Sequence, residues 1–168
     1  VDKVKNLIQS NPAQASEEAG ELLKGKNKKN VDLVTSVAHV YLDAGKITEA
    51  QEYLAMAKKA NNKDPKVSVL EGDIALAQKN IGQACQLYEQ AIYFDPNCKE
   101  AYLKYAQAYK SASPTQAIEK LEQLKAVDPN CLEADRELAE VYYSGNRFGK
   151  AAEMYAKFID TPLATEDD

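Results

Sequence analysis

Residues 95–130 read DPNCKEAYLKYAQAYKSASPTQAIEKLEQLKAVDPN, a stretch that opens on Asp95-Pro96-Asn97 and closes on the same tripeptide at Asp128-Pro129-Asn130. Between these signals lie two apolar runs at helical spacing: Tyr102, Tyr105, Ala106 and Tyr109, then Ala117, Leu121 and Leu124. Ser113-Pro114-Thr115-Gln116 separates the runs and carries the cap and first-turn proline of a helix start. The stretch therefore predicts a helical hairpin. Its small residues recur along the chain, with Ala38, Gly72, Ala106 and Ala139 in one slot and Ala50, Ala84, Ala117 and Ala151 in another. The offsets are 34, 34 and 33 at the first slot and 34, 33 and 34 at the second. A register held at two slots through four copies marks one structural unit repeated.

The same reading extends outward in both directions. Val34, Val37, Ala38 and Tyr41 followed by Ala50, Leu54 and Ala57 make one copy, and Leu138, Ala139 and Tyr142 followed by Ala151, Tyr155 and Phe158 make another. Large residues alternate with small ones, as close packing of helices requires. The predicted fold is all-α, an α-solenoid of about 4.5 hairpin repeats in a single domain spanning 1–168. Its divisions are 1–30 (a partial repeat), 31–64, 65–98, 99–131 and 132–163, with 164–168 starting a truncated helix. The partial repeat has Val1, Val4, Leu7 and Ile8 on its first helix and Ala15, Ala19 and Leu22 on its second, and Lys24 to Asn30 is a solvated loop. Asn97 and Asn130, each three residues before a glutamate, are the expected capping residues of two first helices, and Asp64 before Pro65 caps a third.

Composition narrows the function. The chain is 45% hydrophobic and 28% charged, with no run near the roughly 18 apolar residues of a bilayer-spanning helix. A net charge of -5 opposes nonspecific attraction to nucleic acid, and the lysines Lys24, Lys26, Lys28 and Lys29 are confined to one loop. Three cysteines form neither a disulfide framework nor a Cys/His metal cluster, so no cofactor is expected and the compartment is left undetermined. Beginning at Val1 without an initiator Met or an apolar signal, and ending in Thr165-x-x-Asp168, the chain reads as a piece of a longer array.

With small residues at slots 8 and 20 of each unit, aromatics at slot 11 (Tyr41, Tyr109, Tyr142) or 24 (Tyr88, Tyr155), and Pro96 and Pro129 at slot 32, the chain resembles the tetratricopeptide-repeat family. It departs from that pattern in lacking Trp at slot 4, in Glu71 and Ala75 of the second unit, and in Asn62 where the closing proline would stand. The resemblance implies a right-handed superhelix, a right-handed α-solenoid, whose first helices line a concave groove that seats a peptide or helix of another protein. Carried onto this sequence, the groove residues are Thr35, His39, Asp43, Lys66, Asp73, Leu103, Lys104, Gln107, Lys110, Arg136, Glu140 and Tyr143. Family members that clamp a C-terminal carboxylate carry Lys and Asn where this chain has Thr35 and His39, which disfavours that mode; a buried carboxylate needs several charge-assisted donors.

Individual residues read more plainly than their chemistry invites. His39, the sole histidine, is an ordinary polar groove residue in the absence of a second metal ligand. Seven of the ten tyrosines occupy packing slots, whereas Tyr143 faces the groove and is the aromatic to test as a contact. Cys98 and Cys131, at equivalent slots about 10 Å apart by helix packing, are too distant for a disulfide. The acidic tail Glu166, Asp167 and Asp168 reads as a helix start. No nucleophile with an adjacent base and no phosphate-binding glycine loop is present, so the chain is read as noncatalytic. The expected function is a protein-binding scaffold. Two alternatives stand beside it: end-to-end self-association through apolar surface around Phe148, Tyr155 and Phe158, and a targeting arm of a larger enzyme.

Overall fold

The computed structural model describes residues 1–158, with side chains through Ala156. Every regular element among the described residues is helical, and the chain divides into two compact units, Val1–Phe94 and the part from Asp95 onward. The first unit holds α1 (Asp2–Leu7), α2 (Pro12–Leu22), an exposed 3-10 turn (Gly25–Lys29), α3 (Val31–Asp43), α4 (Ile47–Asn61), α5 (Pro65–Ala77) and α6 (Ile81–Phe94). The second holds α7 (Lys99–Tyr109), α8 (Pro114–Val127), α9 (Leu132–Ser144) and α10 (Phe148–Phe158). Sequential helices pair as antiparallel hairpins: α1 with α2, α3 with α4, α5 with α6, α7 with α8 and α9 with α10.

Both small-residue slots are buried throughout. Ala38, Ala106 and Ala139 are at most 1% exposed, Ala50, Ala84 and Ala117 are fully buried, and Ala151 is 2% exposed. The reason for smallness is clearest at Gly72, where an added Cβ would stand 2.5 Å from Cε1 of Tyr88. The fully buried Tyr88 ring lies against bare backbone there, so helices α5 and α6 approach closely. In the second unit Leu121 and Leu124 are buried, as are Tyr105, Leu138 and Tyr142.

The turns explain the uneven period. In three hairpins the fifteenth residue is left-handed, Gly45 at φ 74°, Lys79 at φ 64° and Asn146 at φ 58°. After each, a main-chain N–H reaches back five residues, from Lys46 to Tyr41, Asn80 to Ala75 and Arg147 to Tyr142, at 2.8–2.9 Å. The α7–α8 hairpin lacks that left-handed residue; Ser113 N–H bonds Tyr109 O directly at 2.8 Å and the turn is one residue shorter. Lys79 accepts a backbone cost of about 1–2 kcal/mol that Gly45 avoids.

Two expected caps stand elsewhere, and a third, Ser113, holds the N-cap position of α8 without a side-chain cap bond. Cys98 and Cys131, not Asn97 and Asn130, stand at the N-caps of α7 and α9, and neither makes a side-chain cap bond. The aspartate before each proline prevails instead: Asp95 Oδ1 accepts from Asn97 N at 2.9 Å and Asp128 Oδ1 from Asn130 N at 3.2 Å. These Asx turns close the Asp-Pro-Asn corner and delay the helix by one residue. Asp64 does cap α5, accepting from Lys66 N at 3.0 Å, and Asn11 and Asn30 cap α2 and α3 in the same manner. The tail residues Glu166, Asp167 and Asp168 lie outside the described residues, as does the side chain of Phe158.

Candidate interaction faces

In each unit the face of interest is built from first helices lying side by side. Residues one period apart occupy equal slots of neighbouring repeats, which brings them into contact. In the first unit Asp32 on α3 pairs with Lys66 on α5, and His39 Nε2 lies 3.0 Å from Asp73 Oδ2. Tyr88 donates its hydroxyl to the other oxygen of Asp73 at 2.7 Å, so that carboxylate is held from two helices. Thr35 is only 4% exposed, and its hydroxyl donates to Val31 O at 2.9 Å and Asp32 O at 3.2 Å. Its hydroxyl is therefore spent on its own helix, and His39 uses the Thr35 main-chain carbonyl, 3.0 Å from Nδ1. The trio Thr35, His39 and Asp73 is thus a structural chain, not a nucleophile aligned with a base. Asp43 is exposed and lines an open cleft of about 190 Å³ with Lys5, Ile8, Gln9, Val40 and Ala44, between α1 and α3.

In the second unit the cations of this face are matched by carboxylates. Lys110, the C-cap of α7, pairs with Glu140 on α9 and lies 3.7 Å from Glu137, to which Gln107 donates at 2.7 Å. Arg136 lies 3.5 Å from Glu140, Lys104 lies 3.8 Å from Glu100, and Lys99 lies 2.6 Å from Glu133. The hydrogen bond from Lys99 holds the Glu133 carboxyl below its ordinary range, and the same bond raises the Lys99 ammonium. Each such partly exposed pair contributes only about 0–1 kcal/mol, yet together they leave this lattice near neutral. An incoming carboxylate would have to compete with a glutamate already at each position. Leu103 is half-buried on α7.

The helical order 136, 140, 143 places Tyr143 on the α9 face that carries Arg136 and Glu140. Tyr143 is 61% exposed and stands edge-on to Phe148, itself 56% exposed, with ring centroids 5.4 Å apart. Tyr93 on α6, which sequence reasoning passed over, is more exposed still at 82%. Its position on a second helix, with no packing partner implied by its slot, was the available signal. Burial pushes the Cys131 thiol up, away from a reactive thiolate. Among the described residues no group of three or more His, Cys, Asp or Glu is placed to hold a metal, and no helix is long and apolar enough to cross a membrane.

A family model described as Tetratricopeptide repeat matches residues 38–98 and 107–164. No curated protein matches the sequence significantly. Among solved structures, a thermophilic TPR protein of Thermus thermophilus is similar with a TM-score of 0.75 at 19% identity, covering 91% of this chain and 84% of that one. PilW, a type IV pilus biogenesis factor, gives 0.75 at 17% identity over 98% of this chain and 77% of its own. YrrB, a TPR protein with an unusual peptide-binding site, gives 0.61 at 18% identity over 93% and 81%. At these identities the likeness concerns the fold.

Proposed function

The chain belongs to the tetratricopeptide-repeat family, and from that membership we propose that it is a noncatalytic interaction scaffold that seats a segment of a partner protein on the faces of its first helices. The observation that carries the reading is the Tyr143–Phe148 pair, two aromatic rings left largely in water beside a charge-balanced lattice. Rings of this kind supply large apolar area with few torsions to immobilise, which is why they recur as binding anchors. The neighbouring Arg136–Glu140 and Lys110–Glu140 pairs then set register around the anchor and add little affinity of their own. Tyr143→Ala is expected to weaken partner affinity by about tenfold or more, whereas Tyr93→Ala leaves it unchanged. Titration calorimetry with the isolated partner reads both; equal effects at the two positions would defeat the proposal.

A second reading is favoured by Phe148 alone, since an exposed phenylalanine opening the last described helix could instead meet another copy of the chain. Sedimentation at two concentrations separates the readings. A concentration-dependent coefficient that Phe148→Ser abolishes supports self-association, and a constant one leaves partner capture.

A further inference from the structure

We propose that His39 is held as the imidazolium and acts as a proton-dependent clamp between α3 and α5, so that the joint between these two repeats is tight at acidic pH and slackens as the solution becomes alkaline. The argument is one of hydrogen-bond inventory. Nδ1 lies 3.0 Å from the Thr35 carbonyl oxygen and Nε2 lies 3.0 Å from Asp73 Oδ2. A carbonyl accepts only, and so does an ionised carboxylate, whereas a neutral imidazole carries one N–H and must leave its second nitrogen facing an acceptor lone pair. With Asp73 ionised, only the doubly protonated ring satisfies both contacts. Tyr88 donates to Asp73 Oδ1 at 2.7 Å from a fully buried ring, a bond that favours the ionised carboxylate and leaves Oδ2 to accept from the ring of His39. With the Asp73 side chain 10% exposed and His39 31% exposed, water replaces these bonds poorly.

On α5 the cation of this face, Lys66, is paired with Asp32 of α3. The wall made by α1 brings Lys5 to the cleft beside Asp43, so a cation there is accompanied by an anion. From α6 comes the Tyr88 hydroxyl, and on α4 the acids Glu49 and Glu52 gather around Tyr53 and Tyr41. Because the proton is shared within the His39–Asp73 pair, its midpoint belongs to the pair, with the proton resting on the stronger base, the imidazole. Hydrogen bonds to the charged form raise that midpoint. Linkage then gives the sign: the stabilisation is complete below the ordinary histidine midpoint of about 6.5 and is lost as pH rises through the higher folded-state midpoint. The clamp joins residues of two first helices, so its state bears on the spacing of the face they form.

His39 is the chain's only histidine, which makes the test direct. In the full chain labelled with nitrogen-15, both ring nitrogens are expected to show the protonated shift at neutral pH, with a midpoint above about 6.5. Asp73→Asn, which keeps an acceptor for Tyr88, is expected to lower that midpoint. Thermal stability is expected to fall between about pH 6 and about pH 8 in the parent and to show no such step in His39→Gln. A midpoint at or below the ordinary value, or one that Asp73→Asn leaves in place, overturns the clamp.

Discussion

Gly72→Val is expected to cost about 3 kcal/mol or more in the unfolding of the first unit. A Cβ at that position would stand 2.5 Å from Cε1 and 2.8 Å from Cδ1 of Tyr88, both well inside contact distance. The ring has nowhere to withdraw. It is 0% exposed, and retreat would break the 2.7 Å bond from its hydroxyl to Asp73, leaving a carboxylate that also serves His39 short of a donor. Overpacking alone costs about 1–3 kcal/mol, and loss of a hydrogen bond to a charged group adds about 1.5–3. Replacing glycine inside a helix offsets only a few tenths for valine, and about 1 kcal/mol for alanine, so Gly72→Ala should lose less. Adding Tyr88→Leu to Gly72→Val should restore part of the loss, since the two residues share one space. Urea unfolding checks all three variants; a Gly72→Val chain as stable as the parent would show that ring and slot do not interlock.

The second large effect is expected at Asp135, a carboxylate only 3% exposed. Its Oδ2 accepts from Lys125 Nζ at 2.8 Å, while its Oδ1 is buried with no hydrogen-bond partner. Lys125 also donates to Pro129 O at 2.6 Å, tying the end of α8 to the corner that leads into α9. Lys125→Met would strand the buried charge, at a cost of about 3 kcal/mol. Lys125→Met together with Asp135→Leu should come within about 1 kcal/mol of the parent or exceed it, because an apolar pair needs no desolvation. The corresponding lysine one repeat pair earlier, Lys58, meets Glu71 with both side chains at least 25% exposed, so Lys58→Met should cost under about 1 kcal/mol. Denaturant unfolding of the three variants measures the contrast. Equal losses for Lys125→Met and Lys58→Met would mean that burial is not what makes the Asp135 pair matter.

These two sites also mark how far the sequence can be read. The slot holding Gly72 was legible because its smallness recurs at Ala38, Ala106 and Ala139, and repetition turns weak local signals into a register. Asp135 was not legible: it sits amid Glu133, Arg136 and Glu137, a string that reads as a solvated first turn, and its partner lies ten residues back on another helix. The caps failed for a local reason. Asn97 and Asn130 satisfy the capping-box spacing, but an aspartate before the proline competes for their main-chain N–H and wins at 2.9 and 3.2 Å.

On the candidate face, residue types were foreseen but their mutual pairing was not. His39 and Asp73, like Asp32 and Lys66, are separated by one full period and so occupy the same slot. Stacking equal slots converts sequence periodicity into contact, and opposite polarity at equal slots was the available sign that these side chains face each other. Tyr143 had no such counterpart. Its exposure at 61% is what separates it from the tyrosines at packing slots, such as Tyr142 at 7%.

Site-specific photo-crosslinking in the full chain tests the interaction role most directly, with a photoreactive phenylalanine replacing either Tyr143 or Tyr93. The two positions are both exposed, on a first and a second helix respectively, so accessibility does not distinguish them. Seating of a partner on the first helices predicts an adduct from position 143 that excess unlabelled chain suppresses, and none from position 93. An adduct from position 93 alone would contradict it.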